Sequence, residues 1–96
     1  MLIHLALFRW KKGTSEKKIK EALQKVKSLC KKCKGVKAIY CGKNFHSEAK
    51  GFTHGVVVLA DNQEALDAYR QHPDHKDVAQ EISAMEEDGL GFDFED

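Results

Sequence analysis

The segment Tyr69-Arg70-Gln71-His72-Pro73-Asp74-His75 places a phenol and two imidazoles around the chain's only proline. Phenol and imidazole are proton-transfer groups, and imidazole is the one that titrates near neutral pH. Pro73 has no backbone N–H and reads as a break between two helical pieces, with Asp74 as the candidate cap of the second. Such a break can turn Tyr69 and His75 toward one point. Two further histidines, His4 and His54, lie inside strand-like apolar runs, where a charge-capable ring is out of place. His46 falls in a polar loop and is assigned no role; His72, just before the proline, reads as structural.

The spacing of these residues puts them on inward faces. Period two groups His4 with Ala6 and Phe8, and His54 with Val56, Val58 and Ala60. His75, Val78 and Ile82 follow i, i+3, i+7, so His75 points with an apolar helical stripe. Tyr69 lies with Ala65 and Leu66 on the inward side before the break. The functional reading is a mostly apolar pocket between a sheet and the second helical region, lined by His4, His54, Tyr69 and His75. The plainer reading is a set of core rings with satisfied hydrogen bonds around a helix break.

The elements that must position these residues follow in order. Leu2 to Trp10 reads as a strand with two largely apolar faces, which implies cover on both sides. Gly13-Thr14 breaks it, and Thr14 or Ser15 can cap a helix. Ile19, Ala22, Leu23, Val26, Leu29, Cys30 and Cys33 recur at steps of three and four, an amphipathic helix that Gly35 ends. Val36 to Phe45 is a second strand with Gly42 as a candidate bulge, and Phe52 to Ala60 a third. Asp61 to Glu64 resembles a helix cap, followed by helix on both sides of Pro73 and closure at Gly89. Leu90, Phe92 and Phe94 then alternate with Gly91, Asp93 and Glu95 as a final strand.

The order β-α-β-β-α-β predicts an α+β, ferredoxin-like fold with an antiparallel sheet, built as a single domain over residues 1–96. In such a sheet the first and third strands are central neighbours, which predicts that His4 and His54 are close. Helices cover only one sheet face. The uncovered apolar face, carrying either Leu2/His4/Ala6/Phe8 or the alternate set, is an association site. Two such faces packed together give a two-fold homodimer with a barrel-like interior.

Bulk properties narrow the function class. With 96 residues the chain has a modest core, and its net charge of +1 creates no global field toward nucleic acid or membrane. From Arg9 to Lys34 there are 11 Lys/Arg against 2 Asp/Glu; from Asp61 to Asp96 there are 12 Asp/Glu against 2 Lys/Arg. The basic residues fall on the outward face of one helix, so attraction between a basic and an acidic helix, within or between subunits, is the expected consequence. The apolar Leu2–Phe8 run lacks the features of a leader peptide, and no run approaches the length of a membrane span. Three cysteines then suggest reduced thiols and a cytoplasmic protein.

Competing chemistries have weaker signatures. Three histidines could hold zinc, but they have no local ligand spacing and no carboxylate is expected beside them on the strand faces, so no metal is expected. Cys30-Lys31-Lys32-Cys33 is formally C-x-x-C, but it falls at a helix C-terminus, where the dipole opposes a thiolate, and packing is the better reading. A phosphate loop is absent, and the lysine-rich helix lacks the aromatic interleaving of a nucleic-acid surface.

The His4 strand, Tyr40-Cys41-Gly42-Lys43, Gly51-Phe52-Thr53-His54, Tyr69-x-x-His72-Pro73-x-His75 and Phe92-Asp93-Phe94 together resemble the stress-responsive A/B barrel (Dabb) family, over essentially the whole chain. The resemblance implies a dimeric α+β barrel. Within that family, plant polyketide cyclases of the olivetolic acid cyclase type close a poly-β-keto chain by intramolecular aldol condensation, without a metal or organic cofactor. Their acid/base pair falls on Tyr69 and His75, and their strand histidines on His4 and His54. The resemblance therefore implies Tyr69 and His75 as catalytic residues, and His4 and His54 as ligands of substrate oxygens. Gly55 stands where relatives carry a bulkier residue and Cys41 where they often carry an aromatic, so pocket size and substrate can differ. Two other functions fit the same frame: a non-catalytic stress-associated dimer that binds a small apolar ligand or stabilises other proteins, and a cofactor-free oxygenase.

Overall fold

The computed structural model describes all 96 residues. Strand β1 (Leu2–Trp10) leads to helix α1 (Glu16–Ser28), a 3-10 turn (Leu29–Lys31), β2 (Val36–Lys43), β3 (His54–Ala60), α2 (Gln63–Gln71), α3 (Pro73–Met85) and β4 (Glu86–Glu95). The four strands form one antiparallel sheet in the order β2-β3-β1-β4. This is the expected ferredoxin-like arrangement, with β1 and β3 in the centre.

One sheet face carries the helices. Leu2, Val56, Val58 and Ala60 meet Ile19, Ala22, Leu23 and Val26 of α1 and Leu66, Tyr69, Val78 and Ile82 of α2 and α3 in a single core. Each fully buried aliphatic side chain in it contributes about 1.5–3 kcal/mol. The uncovered face carries the alternate set of β1. Leu5 stands between Val57 and Phe92, Ile3 between Leu59 and Phe94, and Leu7 between Gly55 and Leu90. Leu90, Phe92, Phe94 and Tyr40 on this face are largely exposed.

Local chemistry sets the boundaries, and several differ from the expected ones. Ser15 caps α1 by accepting from the Lys18 N–H. The α-helix stops at Ser28, so Cys30 and Cys33 lie in and beyond the 3-10 turn rather than on the helix. Gly35 holds φ at +86°, and a Cβ there would lie 2.7 Å from that of Ala65. The irregularity in β2 falls between Val36 and Ala38, not at Gly42, and Phe45 lies beyond the strand, fully exposed. Asn62, one residue later than expected, caps α2 through Oδ1 to the Ala65 N–H. The α2–α3 break lies at His72–Pro73 as the proline demands, but His72 rather than Asp74 is the cap: its Nδ1 accepts from the Asp74 N–H at 3.1 Å. Gly89 does not close α3; the chain turns straight from Met85 into β4, and Gly89 lies within the strand opposite Phe8.

Part of the charge asymmetry is met within the subunit. Lys25 of α1 reaches Glu81 of α3 at 2.8 Å, and Lys32 reaches Asp74 at 2.7 Å. Both pairs are exposed, so they orient α1 and the segment after it against α3 more than they stabilise the fold.

Candidate active site

The break between α2 and α3 brings Tyr69 and His75 together. Their rings meet edge to face with centroids 4.6 Å apart. Tyr69 comes from the last turn of α2 and is 2% exposed; His75 comes from the first turn of α3 and is half-buried. Pro73 at the first turn of α3 suits the position, because no N–H is needed there and its φ is already helical.

Both rings line a cavity of about 250 Å³ between the sheet and α3. Its sheet wall is His4, Ala6, Phe8 and Val56; Val78 and Ile82 form the helical wall, and Ser83 and Glu86 add polar atoms. Burial pushes the Tyr69 hydroxyl pKa well above its ordinary value, so it remains a proton donor at all physiological pH. Burial first, and then the charges of Arg70, His4 and His72, push the His75 pKa below its ordinary value. His75 is therefore a neutral base at pH 7. Burial, and next the Asp88 charge, raises the Glu86 carboxyl pKa.

His4 enters the same cavity from β1, held from the side. Its Nδ1 donates to Oδ1 of Asp93, the residue directly opposite on β4. Arg70 donates to the other Asp93 oxygen at 3.0 Å. The His4 hydrogen bond foremost, and that of Arg70, hold the Asp93 pKa below the usual carboxylate range despite partial burial. A carboxylate only accepts, so the shared proton sits on Nδ1 of His4. Nε2 is then an acceptor when the ring is neutral and a donor when it is charged.

His54 is not in this cavity. The register pairs His54 with Phe8 and His4 with Val58, which separates the two histidines by four residues along β1, roughly 13 Å. His54 is 5% exposed and packs beside Trp10, whose Nε1–H donates to His54 Nδ1 at 2.9 Å. It lines a different hollow, between α1 and the β2 end of the sheet.

The model of the stress-responsive A/B barrel domain matches residues 2–96. The chain belongs to this family. A solved structure from Arabidopsis thaliana is 26% identical, spans 100% of this chain and 95% of its own, and superposes with a TM-score of 0.90. A dimeric ferredoxin-like protein of unknown function from Thermobifida fusca is 25% identical over 97% of this chain and 88% of its own, with a TM-score of 0.85. The hydroxynitrile lyase of Passiflora edulis is 18% identical over 97% and 90%, with a TM-score of 0.87, and shares the fold. Among curated proteins, none matches significantly.

Three residues of this A/B barrel's site escape a reading of the sequence. Asp93 was legible as a strand residue but not as the partner of His4, and the expectation that no carboxylate stands beside the strand histidines does not hold. Arg70 sits within the Tyr69–His75 segment, yet only the placement of the C-terminal end of α2 shows that it reaches Asp93 on β4. Trp10, at the end of β1, sets the orientation of His54. No three His, Cys, Asp or Glu side chains converge in the geometry of a metal site. Cys30, Cys33 and Cys41 are free thiols. Burial raises the Cys33 pKa and lifts that of Cys41 to about 11, which suits packing rather than redox chemistry.

Proposed function

We propose that this A/B barrel is an acid–base enzyme of the polyketide-cyclase type, closing a poly-β-keto substrate by intramolecular aldol condensation. The observation that carries this reading is the Tyr69–His75 pair: a buried phenol and a neutral imidazole in contact, both opening onto an apolar cavity that His4 also enters. His75 would take a proton from the carbon between two carbonyls. The enolate would attack a distal carbonyl carbon of the same chain, forming the C–C bond, and the resulting alkoxide would be protonated in turn. Tyr69, kept protonated by burial, would donate to the oxyanion. His4, held by Asp93 and Arg70, would bind a substrate oxygen. His54 would serve the substrate only through a portion extending beyond this cavity. A positioned base contributes roughly 10²–10⁴-fold, enough for a carbon already acidified by two carbonyls. That a hydroxynitrile lyase shares the fold supports a lyase reading of this scaffold.

The open sheet face supports a homodimer. Leu90, Phe92 and Phe94 extend the apolar surface of Ile3, Leu5 and Leu7 to the sheet edge, and the Thermobifida fusca neighbour is dimeric. Packing of two such faces would complete the barrel.

The cavity volume of about 250 Å³ lies below the usual range of ligand pockets, about 300–1,000 Å³. This favours a second reading, a non-catalytic dimer that binds a small apolar ligand. His75→Ala separates the two. Loss of cyclisation of a synthetic triketo thioester, with the fold intact by circular dichroism, supports the enzyme; turnover equal to the parent protein's sinks it.

A further inference from the structure

The largest hollow of the molecule lies away from Tyr69 and His75 and shares no lining residue with their cavity. It has a volume of about 510 Å³ and runs between α1 and the end of the sheet where β2 meets β3. Its floor is Leu23, Cys41 and His54. Its α1 wall is a stripe at helical spacing, Lys17, Lys20, Gln24 and Lys27, and Lys43 of β2 faces it.

Two features make this more than a solvated helix face. The first is the charge balance. Lysines without a carboxylate partner also occur elsewhere, Lys18, Lys34 and Lys76 among them, but three such lysines converge on this one hollow. Lys17, Lys20 and Lys27 meet no carboxylate; the one acidic residue of the hollow, Glu16, faces Lys43 at 3.7 Å, with both side chains about two-thirds exposed or more. The hollow therefore presents three uncompensated cations above a floor of apolar side chains and lysine stems.

The second feature is His54. Trp10 Nε1 is only a donor, so Nδ1 of His54 must be the acceptor and bears no proton. Burial lowers the His54 pKa, which keeps the ring neutral. A neutral ring with a bare Nδ1 carries its proton on Nε2. That N–H has no partner in the protein, and its side chain, 5% exposed, lines the hollow. The site thus offers one donor fixed in orientation at its floor, cations at its rim and an apolar surface between them.

We infer that this hollow is a binding site for an amphiphilic carboxylate, with the carboxylate held by His54 Nε2–H and the lysine stripe, and its apolar body on Leu23 and Cys41. The inference does not depend on the acid–base reading of Tyr69 and His75. Trp10 is the chain's only tryptophan and its ring lies 5.8 Å from that of His54, so its fluorescence reports on occupancy.

The test titrates the full-length protein with octanoate and, separately, with 1-octanol. Octanoate is expected to give a saturable change in Trp10 fluorescence and to bind at least roughly tenfold more tightly than the alcohol, as charge-assisted hydrogen bonds require. Lys20→Glu with Lys27→Glu changes only surface side chains and should weaken octanoate roughly tenfold or more while leaving octanol unchanged. His54→Phe should abolish the preference for the acid. Equal affinities for acid and alcohol, no saturable change with octanoate, or unchanged octanoate affinity in the folded double-lysine variant each overturn the inference. His75→Ala serves as the control: octanoate binding in it should match the parent protein even if turnover is lost.

Discussion

Tyr69 and His75 stand on different helices, yet their rings touch edge to face at 4.6 Å. The contact exists because His72 caps α3 while Pro73 starts it, so the chain turns between the last turn of α2 and the first turn of α3. Tyr69→Phe tests what the phenol adds. It keeps the ring contact and removes only the hydroxyl. Turnover of a triketo thioester is expected to fall by roughly 10²–10³-fold, as for loss of one oxyanion donor, with little change in KM. The thermal midpoint should barely move, because the hydroxyl has no partner in the protein to lose. A rise in KM with kcat intact would instead make Tyr69 a binding residue.

The two strand histidines carry opposite tautomers. His4 donates from Nδ1 to Asp93, whereas His54 accepts at Nδ1 from Trp10. Imidazole nitrogen chemical shifts of labelled protein above pH 7 should show His4 protonated at Nδ1 and His54 at Nε2. Asp93→Asn removes the charge that anchors both His4 and Arg70. It should destabilise the fold by about 1 kcal/mol in urea denaturation, a modest figure because Arg70 and Asp93 are each more than a third exposed. Identical tautomers at the two histidines would contradict the hydrogen-bond assignment.

What could be read from the sequence was local in origin. The bounds of β1, the apolar stripe of α1 and the break at Pro73 follow from side-chain period and from proline's missing N–H. The inward direction of Tyr69 and His75 follows from the same periodicity. The separation of His4 from His54 was not legible, because it depends on strand register: a shared face and neighbouring strands do not say which residue lies opposite which. Arg70 and Asp93 were missed for the same reason. They are 23 residues apart and meet only where the C-terminal end of α2 comes against Asp93 of β4. Cap positions also slipped by one or two residues, since Asn62 competes with Asp61 beside it and His72 with Asp74 two residues on, and only the backbone geometry selects between them.

Stability should fall on mild acidification. Burial depresses the folded-state pKa values of both His54 and His75 from an ordinary 6.5. The unfolded chain thus binds protons first as pH falls, and acid favours unfolding. The contribution is fully present above about pH 6.5 and is lost as pH falls through the lower folded values. The thermal midpoint should hold steady from pH 8 to 7 and drop between pH 6.5 and 5. His75→Phe should flatten part of that decline. A midpoint that rises over the same interval would reverse the sign of the argument.

The open sheet face makes the last prediction. Leu5 on β1 faces Phe92 on β4, and Phe92 is 59% exposed although it is a large apolar side chain in the middle of a strand. A substitution there barely disturbs the core under the helices, which lies on the other side of the sheet. Phe92→Lys should therefore leave the subunit folded while placing a charge in the centre of the proposed dimer interface, where an unpaired buried charge costs several kcal/mol. Sedimentation velocity should show a dimer for the parent protein and a monomer for Phe92→Lys, with a thermal midpoint that becomes independent of protein concentration. Lys20→Glu, on the far side of the sheet, should leave the dimer intact. If Phe92→Lys sediments as a dimer with undiminished stability, the sheet face is not where the subunits meet.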